Sequence, residues 1–217
     1  MGNWNERWEQ NLIGWHNHEV NQNLQNHHSI LLEANDSPRI LVPLCGKSLD
    51  IGWLATKASE VVGVELVQKA IDDFFLENNH TPTAGPFQNL LCYSLNNITL
   101  ICSDILKISP EHIGYFDAIY DRAALVALSP ELRQAYVNIC LRLLKPEGQI
   151  LLLTYDSHIP ETQGPPFPIK DGVIPTLYQT ASECILLEEL VDTSKDDHRL
   201  QKRGLDWSKT CIWKITK

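Results

Sequence analysis

The chain has 217 residues, enough for one domain or one domain with an arm. Its 43% hydrophobic fraction supports a real core. Its formal net charge of −9 comes with no basic block, which argues against nucleic acid and anionic membrane as partners and for a small ligand. No stretch is apolar enough to span a bilayer, and Met1 to Glu6 lacks the apolar core of a secretory signal, so the cytoplasm is expected. A monomer is expected as well. None of the six cysteines forms a CxxC pair. They sit mostly in apolar runs such as Leu100-Ile101-Cys102 and read as buried free thiols in a reducing compartment.

Residues 1–35 are polar and rich in Trp, Asn and His, and read as a helical arm packed on the domain. Arg39 to Leu44 is a short apolar run ending at Cys45-Gly46, followed by a helical stretch from Ser48 to Ala58. Glu60 to Glu65 is a second strand, and Val67 to Glu77 a second helix. Ile98 to Cys102 is a third strand, and Leu90 to Ser94 can pair with it as a hairpin across Asn96-Asn97. Phe116 to Tyr120 is a fourth. Ser129-Pro130-Glu131 opens a helix with an N-cap, a first-turn proline and an acid. That helix stops at Lys145-Pro146-Glu147-Gly148, before a fifth strand from Gln149 to Tyr155. Cys184 to Val191 and Thr210 to Ile215 read as an antiparallel edge pair. Strands alternating with helices imply βαβ units: an α/β, doubly wound, mainly parallel sheet.

The chemistry-bearing residues fall at strand ends. The first turn, Val42 to Ser48, holds Gly46, where a backbone can approach a ligand closely. It is no P-loop, because Leu41 stands where that motif requires glycine, and there is no GxGxxG. Glu65 ends the second strand, about twenty residues on, where an acid can accept both ribose hydroxyls. Asp104 ends the third strand, where it can accept from an adenine amino group. Together they suggest a nucleoside without a pyrophosphate, as in S-adenosylmethionine (SAM). Arg122, after the fourth strand, can fix an anion, or form a plain salt bridge to Asp121 or Asp104. Trp4, Trp8 and Trp15 either anchor the arm or close over the cofactor, where cation–π attraction would favour a sulfonium. His16, His18, His27 and His28 have no metal-site spacing and read as a solvated arm. Gly164-Pro165-Pro166-Phe167 is a stiff turn, either a plain loop or an apolar wall for an aromatic substrate.

Taken together, these strings resemble the thiopurine S-methyltransferase family over nearly the whole chain. The resemblance rests on Trp4 to Trp8 with Gly14-Trp15-His16, Val42 to Ser48, Val62 to Leu66, Tyr120 to Leu125, Gly164 to Phe167 and Arg203-Gly204-Leu205. It implies the Rossmann-like class I methyltransferase fold with a seven-stranded sheet. It implies SAM contacts from Trp8, Leu44, Glu65 and Arg122, with Ser103, Asp104 and Ile105 near the adenine. Trp15 aligns with a pocket aromatic. The acceptor implied is a small aromatic or heterocyclic thiol such as a thiopurine. Selenium or tellurium species, another small metabolite, or a SAM-binding module without turnover remain alternatives. The chain departs from the family pattern in Asn79 to Ser94 and Asp192 to Lys202, which are expected to flank the substrate site.

Overall fold

The computed structural model describes residues 4–88, 90–195, 198–202 and 204–217. Met1 to Asn3, and Arg203 of the Arg203-Gly204-Leu205 string, lie outside the described residues. The arm contributes α1 (Trp4–Glu9) and α2 (Gln22–His27). Asn21 caps α2, its side-chain oxygen accepting from the amides of Asn23 and Leu24. The alternating part runs β1 (Arg39–Pro43), α3 (Leu49–Ala55), β2 (Glu60–Glu65), α4 (Gln68–Glu77), β3 (Thr83–Phe87), β4 (Leu90–Leu95) and β5 (Ile98–Cys102). It continues with α5 (Pro110–Ile113), β6 (Phe116–Arg122), α6 (Pro130–Leu143) and β7 (Leu144–Ser157). The chain ends with α7 (Val173–Leu177), β8 (Glu183–Thr193), α8 (His198–Lys202) and β9 (Trp207–Thr216).

Among the described residues the sheet has nine strands, ordered β3-β4-β5-β2-β1-β6-β7-β9-β8. The five central strands, β5, β2, β1, β6 and β7, are parallel. Helices cover both faces because alternate residues point opposite ways. Leu41, Val62 and Leu152 join the core under α6, whereas Ile40, Val42, Val61 and Leu151 join the core under α3 and α4.

The sheet therefore exceeds the expected seven strands. The unforeseen member is β3, whose Gly85 and Pro86 read as a turn. It lies at the sheet edge, paired with β4 alone, where a missing N–H is tolerated. The β4–β5 hairpin forms as expected, with Leu95 opposite Ile98 and Asn96 at a φ of 53°. The tail pair is also as expected, with β9 set antiparallel between β7 and β8. Two boundaries and one cap differ most from expectation. α3 ends at Ala55, and the Thr56 hydroxyl donates to the Trp53 carbonyl. Ser129 occupies the N-cap of α6, but its hydroxyl caps no amide. β7 begins at Leu144, not Gln149, running through the expected stop with Glu147 at a φ of 62° and a register shift against β6.

Candidate active site

The parallel strands deliver their carboxyl ends to one edge of the sheet, and chain order reverses between β1 and β6. Crevices for ligands open at such a switch point. A cavity of about 230 Å³ lies there. Leu44, from the turn after β1, and Glu65, ending β2, line it. Ser103, Asp104 and Ile105, after β5, continue the wall. Ala123, Val126 and Leu132 line the other side, with Pro165, Pro166 and Phe167. Trp4, Trp8 and Trp15 of the arm line it as well. A small adjoining recess shares Trp8, Trp15, Leu44 and Ala123 with the cavity and adds His16, Gly46, Asp50 and Arg122.

Glu65 is 7% exposed, and burial raises its carboxyl above the ordinary value. The Gly46 amide donates to one oxygen and the Val67 amide to the other, both at 2.9 Å. Each oxygen keeps a lone pair for a further donor. Gly46 has a φ of 53°, and a β-carbon there would meet the Trp8 ring at 3.3 Å. A side chain there would strain the backbone and crowd the Trp8 ring by a few tenths of an ångström. Leu44 and Ala123, neither a glycine, also adopt positive φ, at 46° and 65°. Both line the cavity. Such backbone conformations persist where surrounding structure holds them, and they cluster at functional sites. One Asp104 oxygen accepts from the Leu106 amide at 3.0 Å.

Trp8 is both anchor and wall. It is 3% exposed and packs on Val67 and Ala70, while lining the cavity. Trp15 meets Trp4 edge to face at 5.4 Å and Trp8 at 6.0 Å. Phe167 is pinned by its amide, which donates to the Val126 carbonyl at 2.7 Å.

Arg122 pairs with neither of the acids expected from sequence. Its Nε donates to Asp50 Oδ2 at 2.8 Å, Nη2 to Ser48 Oγ at 3.2 Å, and Nη1 to the Trp15 carbonyl at 3.4 Å. Asp121 instead receives the Tyr136 hydroxyl at 2.6 Å and the Leu125 amide at 3.1 Å. The reason is strand alternation: Asp121 and Arg122 are neighbours on β6 and face opposite sides. Asp50 is 1% exposed and also receives the Tyr120 hydroxyl and the Asn21 amide. It ties the arm, α3 and β6 together.

The donor set fits a nucleoside-bearing, phosphate-free ligand. Two carboxylates stand at strand ends, and the glycine amide that would meet a phosphate is taken by Glu65. The whole chain, residues 1–217, matches the thiopurine S-methyltransferase family. The chain belongs to that family. A thiopurine S-methyltransferase of Legionella pneumophila (strain Corby) is 40% identical over 214 residues, spanning 99% of this chain and 96% of the relative. One from Pseudomonas aeruginosa (strain UCBPP-PA14) is 38% identical over 211 residues, spanning 97% and 95%. Two solved structures share the fold. N-methyltransferase NodS from Bradyrhizobium japonicum WM9, in complex with S-adenosyl-l-homocysteine, has a TM-score of 0.62 at 13% identity, covering 99% of this chain and 98% of its own. A SAM-dependent methyltransferase from Anabaena variabilis ATCC 29413 has a TM-score of 0.63 at 16% identity, covering 98% and 93%. This thiopurine S-methyltransferase family member is therefore a SAM-dependent S-methyltransferase with the class I fold.

For this member of the family, the structure gathers Trp8, Trp15, Leu44, Glu65, Ser103, Asp104, Ile105 and Phe167 around one cavity. Gly46 and Arg122 lie in the adjoining recess. Among the described residues, neither Asn79 to Ser94 nor Asp192 to Lys202 contributes to the cavity lining. Part of the first segment forms the β3–β4 edge, two strands beyond β2. Sequence reasoning missed Asp50, whose position in the first turn of α3 reads only as a favourable dipole contact. It also missed His16, placed in the recess, and Arg133 of α6. No local pattern marks either.

Proposed function

We propose that the chain methylates the sulfur of small aromatic or heterocyclic thiols such as thiopurines. The observation that carries this reading is the lining of the cavity: both carboxylates follow β2 and β5, while the residues after β6 and β7 are mostly apolar or aromatic. Glu65 would hold the ribose hydroxyls and Asp104 the adenine amino group, with Ser103 and Ile105 beside it. Leu44, Gly46, Trp8 and Arg122 would hold the remainder of the cofactor. SAM, when bound, supplies a methyl group on a positive sulfonium. Ala123, Val126, Leu132 and Phe167 would seat the acceptor ring, with Trp15 over it. The arm, residues 1–35 of a single 1–217 domain, would cover both.

An aromatic thiol is largely ionised near neutral pH, and a thiolate is a soft nucleophile. The walls then need only align the acceptor sulfur for in-line displacement and exclude water. The cavity lining supports this, since its carboxylates, Glu65 and Asp104, both lie at the nucleoside end and no histidine lines it among the described residues. Arg122 faces the recess, so its charge would act on the anion from beside the cavity. Its pairing with Asp50 tempers that charge. Asp50, Ser48 and Trp15 hold its planar fork in place.

The net charge of −9 without a basic cluster supports a small-molecule partner, with neither nucleic acid nor membrane bound, and a monomer. The six free cysteines support the cytoplasm. The test is label transfer from SAM to a panel of thiols, selenite, amines and phenols. Aromatic thiols should take the label first. Selenite, amines or phenols labelled with thiols inert would overturn the reading, and binding without any transfer would make the chain a SAM-binding module.

A further inference from the structure

Helix α6 carries a buried cation that the reaction does not use directly. Arg133 is 2% exposed and shares the buried face of α6 with Tyr136, Val137 and Cys140. Its Nη2 donates to the Phe167 carbonyl at 3.3 Å and the Pro168 carbonyl at 3.0 Å. Its Nε has no partner among the described residues. Burial disfavours the guanidinium's charge, which Glu161 and Glu131 offset in part, and its two hydrogen bonds from Nη2 both go to one loop. What they hold is the loop whose Pro165, Pro166 and Phe167 line the cavity. The same loop is fixed from the other side by the Phe167 amide on the Val126 carbonyl.

We propose that Arg133 is a positioning residue that sets acceptor specificity by clamping the Phe167 wall against Val126. The proposal rests on the acceptor reading of this end of the cavity. Both carbonyls are met by one terminal nitrogen, Nη2, whose two N–H donors are held in the guanidinium plane. Tyr136 lies three residues on, on the same face of α6. Its hydroxyl holds Asp121, which accepts from Leu125 in the turn that carries Val126. One helix face therefore fixes both lips of the acceptor end, and the gap between them is the width an acceptor ring meets.

The test uses the full chain as Arg133→Gln and Arg133→Lys, with thiophenol and the bulkier 2-naphthalenethiol as acceptors. The ratio of KM values for the two thiols should change about tenfold in Arg133→Gln, since sub-ångström wall shifts govern alignment. Arg133→Lys should recover part of that change. Affinity for S-adenosylhomocysteine, measured by calorimetry, should stay within about twofold, because the cofactor end keeps its own supports. Hydrogen exchange at the Phe167 amide should quicken about a hundredfold while Leu41 and Val62 stay protected. Parallel loss for both thiols and for cofactor, or unchanged exchange at Phe167, would overturn the proposal. If neither variant folds, the wild type decides: a Phe167 amide exchanging like an open loop refutes the clamp. If the wild type methylates no thiol, the acceptor reading fails, and the exchange measurement still judges the clamp.

Discussion

The two ends of the cavity are built in different ways. At the carboxylate end, Glu65 and Asp104 stand at the termini of adjacent strands, and backbone amides of Gly46, Val67 and Leu106 fix their oxygens. The register of β2 on β5 and the short turns that follow those strands set their separation. At the apolar end, the walls come from the arm, the turn after β6, the start of α6 and the loop after β7. Beyond the paired ends of β6 and β7, no strand pairing among the described residues relates these segments. They are related by buried polar cross-links: Arg122 to Asp50, Tyr136 to Asp121, and Arg133 to the Phe167 loop. A site made from strand ends is as stiff as the sheet. A site made from loops is as stiff as its cross-links, and those can be cut one at a time.

The arm offers the largest break. Deleting residues 1–18 removes Trp8, Trp15 and the carbonyl that Arg122 meets. A buried Trp is worth about 3–5 kcal/mol, here shared between the arm's docking and the rim of the domain. Methyl transfer should fall about a hundredfold or more, since water enters and alignment is lost. The sheet core does not depend on the arm's tryptophans, which form a separate cluster with Val67 and Ala70. The truncated chain should thus melt lower but still cooperatively. Melts and assays on one preparation check both, and full activity in the truncated chain would contradict closure and anchoring together.

Asp121 offers the next. Burial raises its carboxyl from 3.8 to about 6. Between those values the folded chain binds more protons than the unfolded chain. The stability this group contributes is therefore present below pH 3.8 and lost as pH rises through about 6. The loss amounts to about 3 kcal/mol. Asp121→Asn keeps an acceptor for Leu125 and can donate to the Tyr136 oxygen. Measured by denaturant unfolding, the variant should gain on the wild type by about that much between pH 4 and pH 7. A difference that stays flat with pH would remove Asp121 from the account of the acceptor-side turn.

At the carboxylate end, Glu65→Ala should weaken SAM by about 1–3 kcal/mol, the scale of a lost buried hydrogen-bonded charge. It should leave the KM ratio of two thiols unchanged, which is how this end differs from the Arg133 end. Calorimetry showing unchanged SAM affinity would sink the role of Glu65.

The same contrast explains what the sequence revealed. Gly46, Glu65 and Asp104 were legible because each closes a strand, and strand ends can be read from apolar runs. The paired tail strands and the β4–β5 hairpin were legible for the same reason. β3 was not, because Gly85 and Pro86 carry a turn signal that only an edge position overrides. Arg122 was found, but its partner was not. Asp50 is 72 residues away, and only the folded sheet brings the start of α3 to the end of β6. Arg133 was invisible, because an arginine on an amphipathic helix reads as solvent-facing until the loop it holds is in place.

The smallest expected effect concerns the proton. If the acceptor arrives as a thiolate, the lower limb of kcat/KM against pH, at saturating SAM, tracks the thiol. Moving from a more to a less acidic aryl thiol should shift that limb by about their pKa difference. His16, in the recess, challenges this. Partial burial, with Lys47 nearby, holds its imidazole below the ordinary value, so it is neutral near pH 7 and able to accept a proton. Yet it lines the recess beside Arg122, not the apolar walls. A positioned general base is worth about a hundredfold to ten-thousandfold. His16→Gln should therefore change kcat/KM by less than about threefold, far below that scale, and leave the limb where the thiol puts it. A limb fixed at one pH for both thiols, and abolished in His16→Gln, would make His16 the base. The acceptor would then enter protonated, and the recess would belong to the reaction as much as the cavity does.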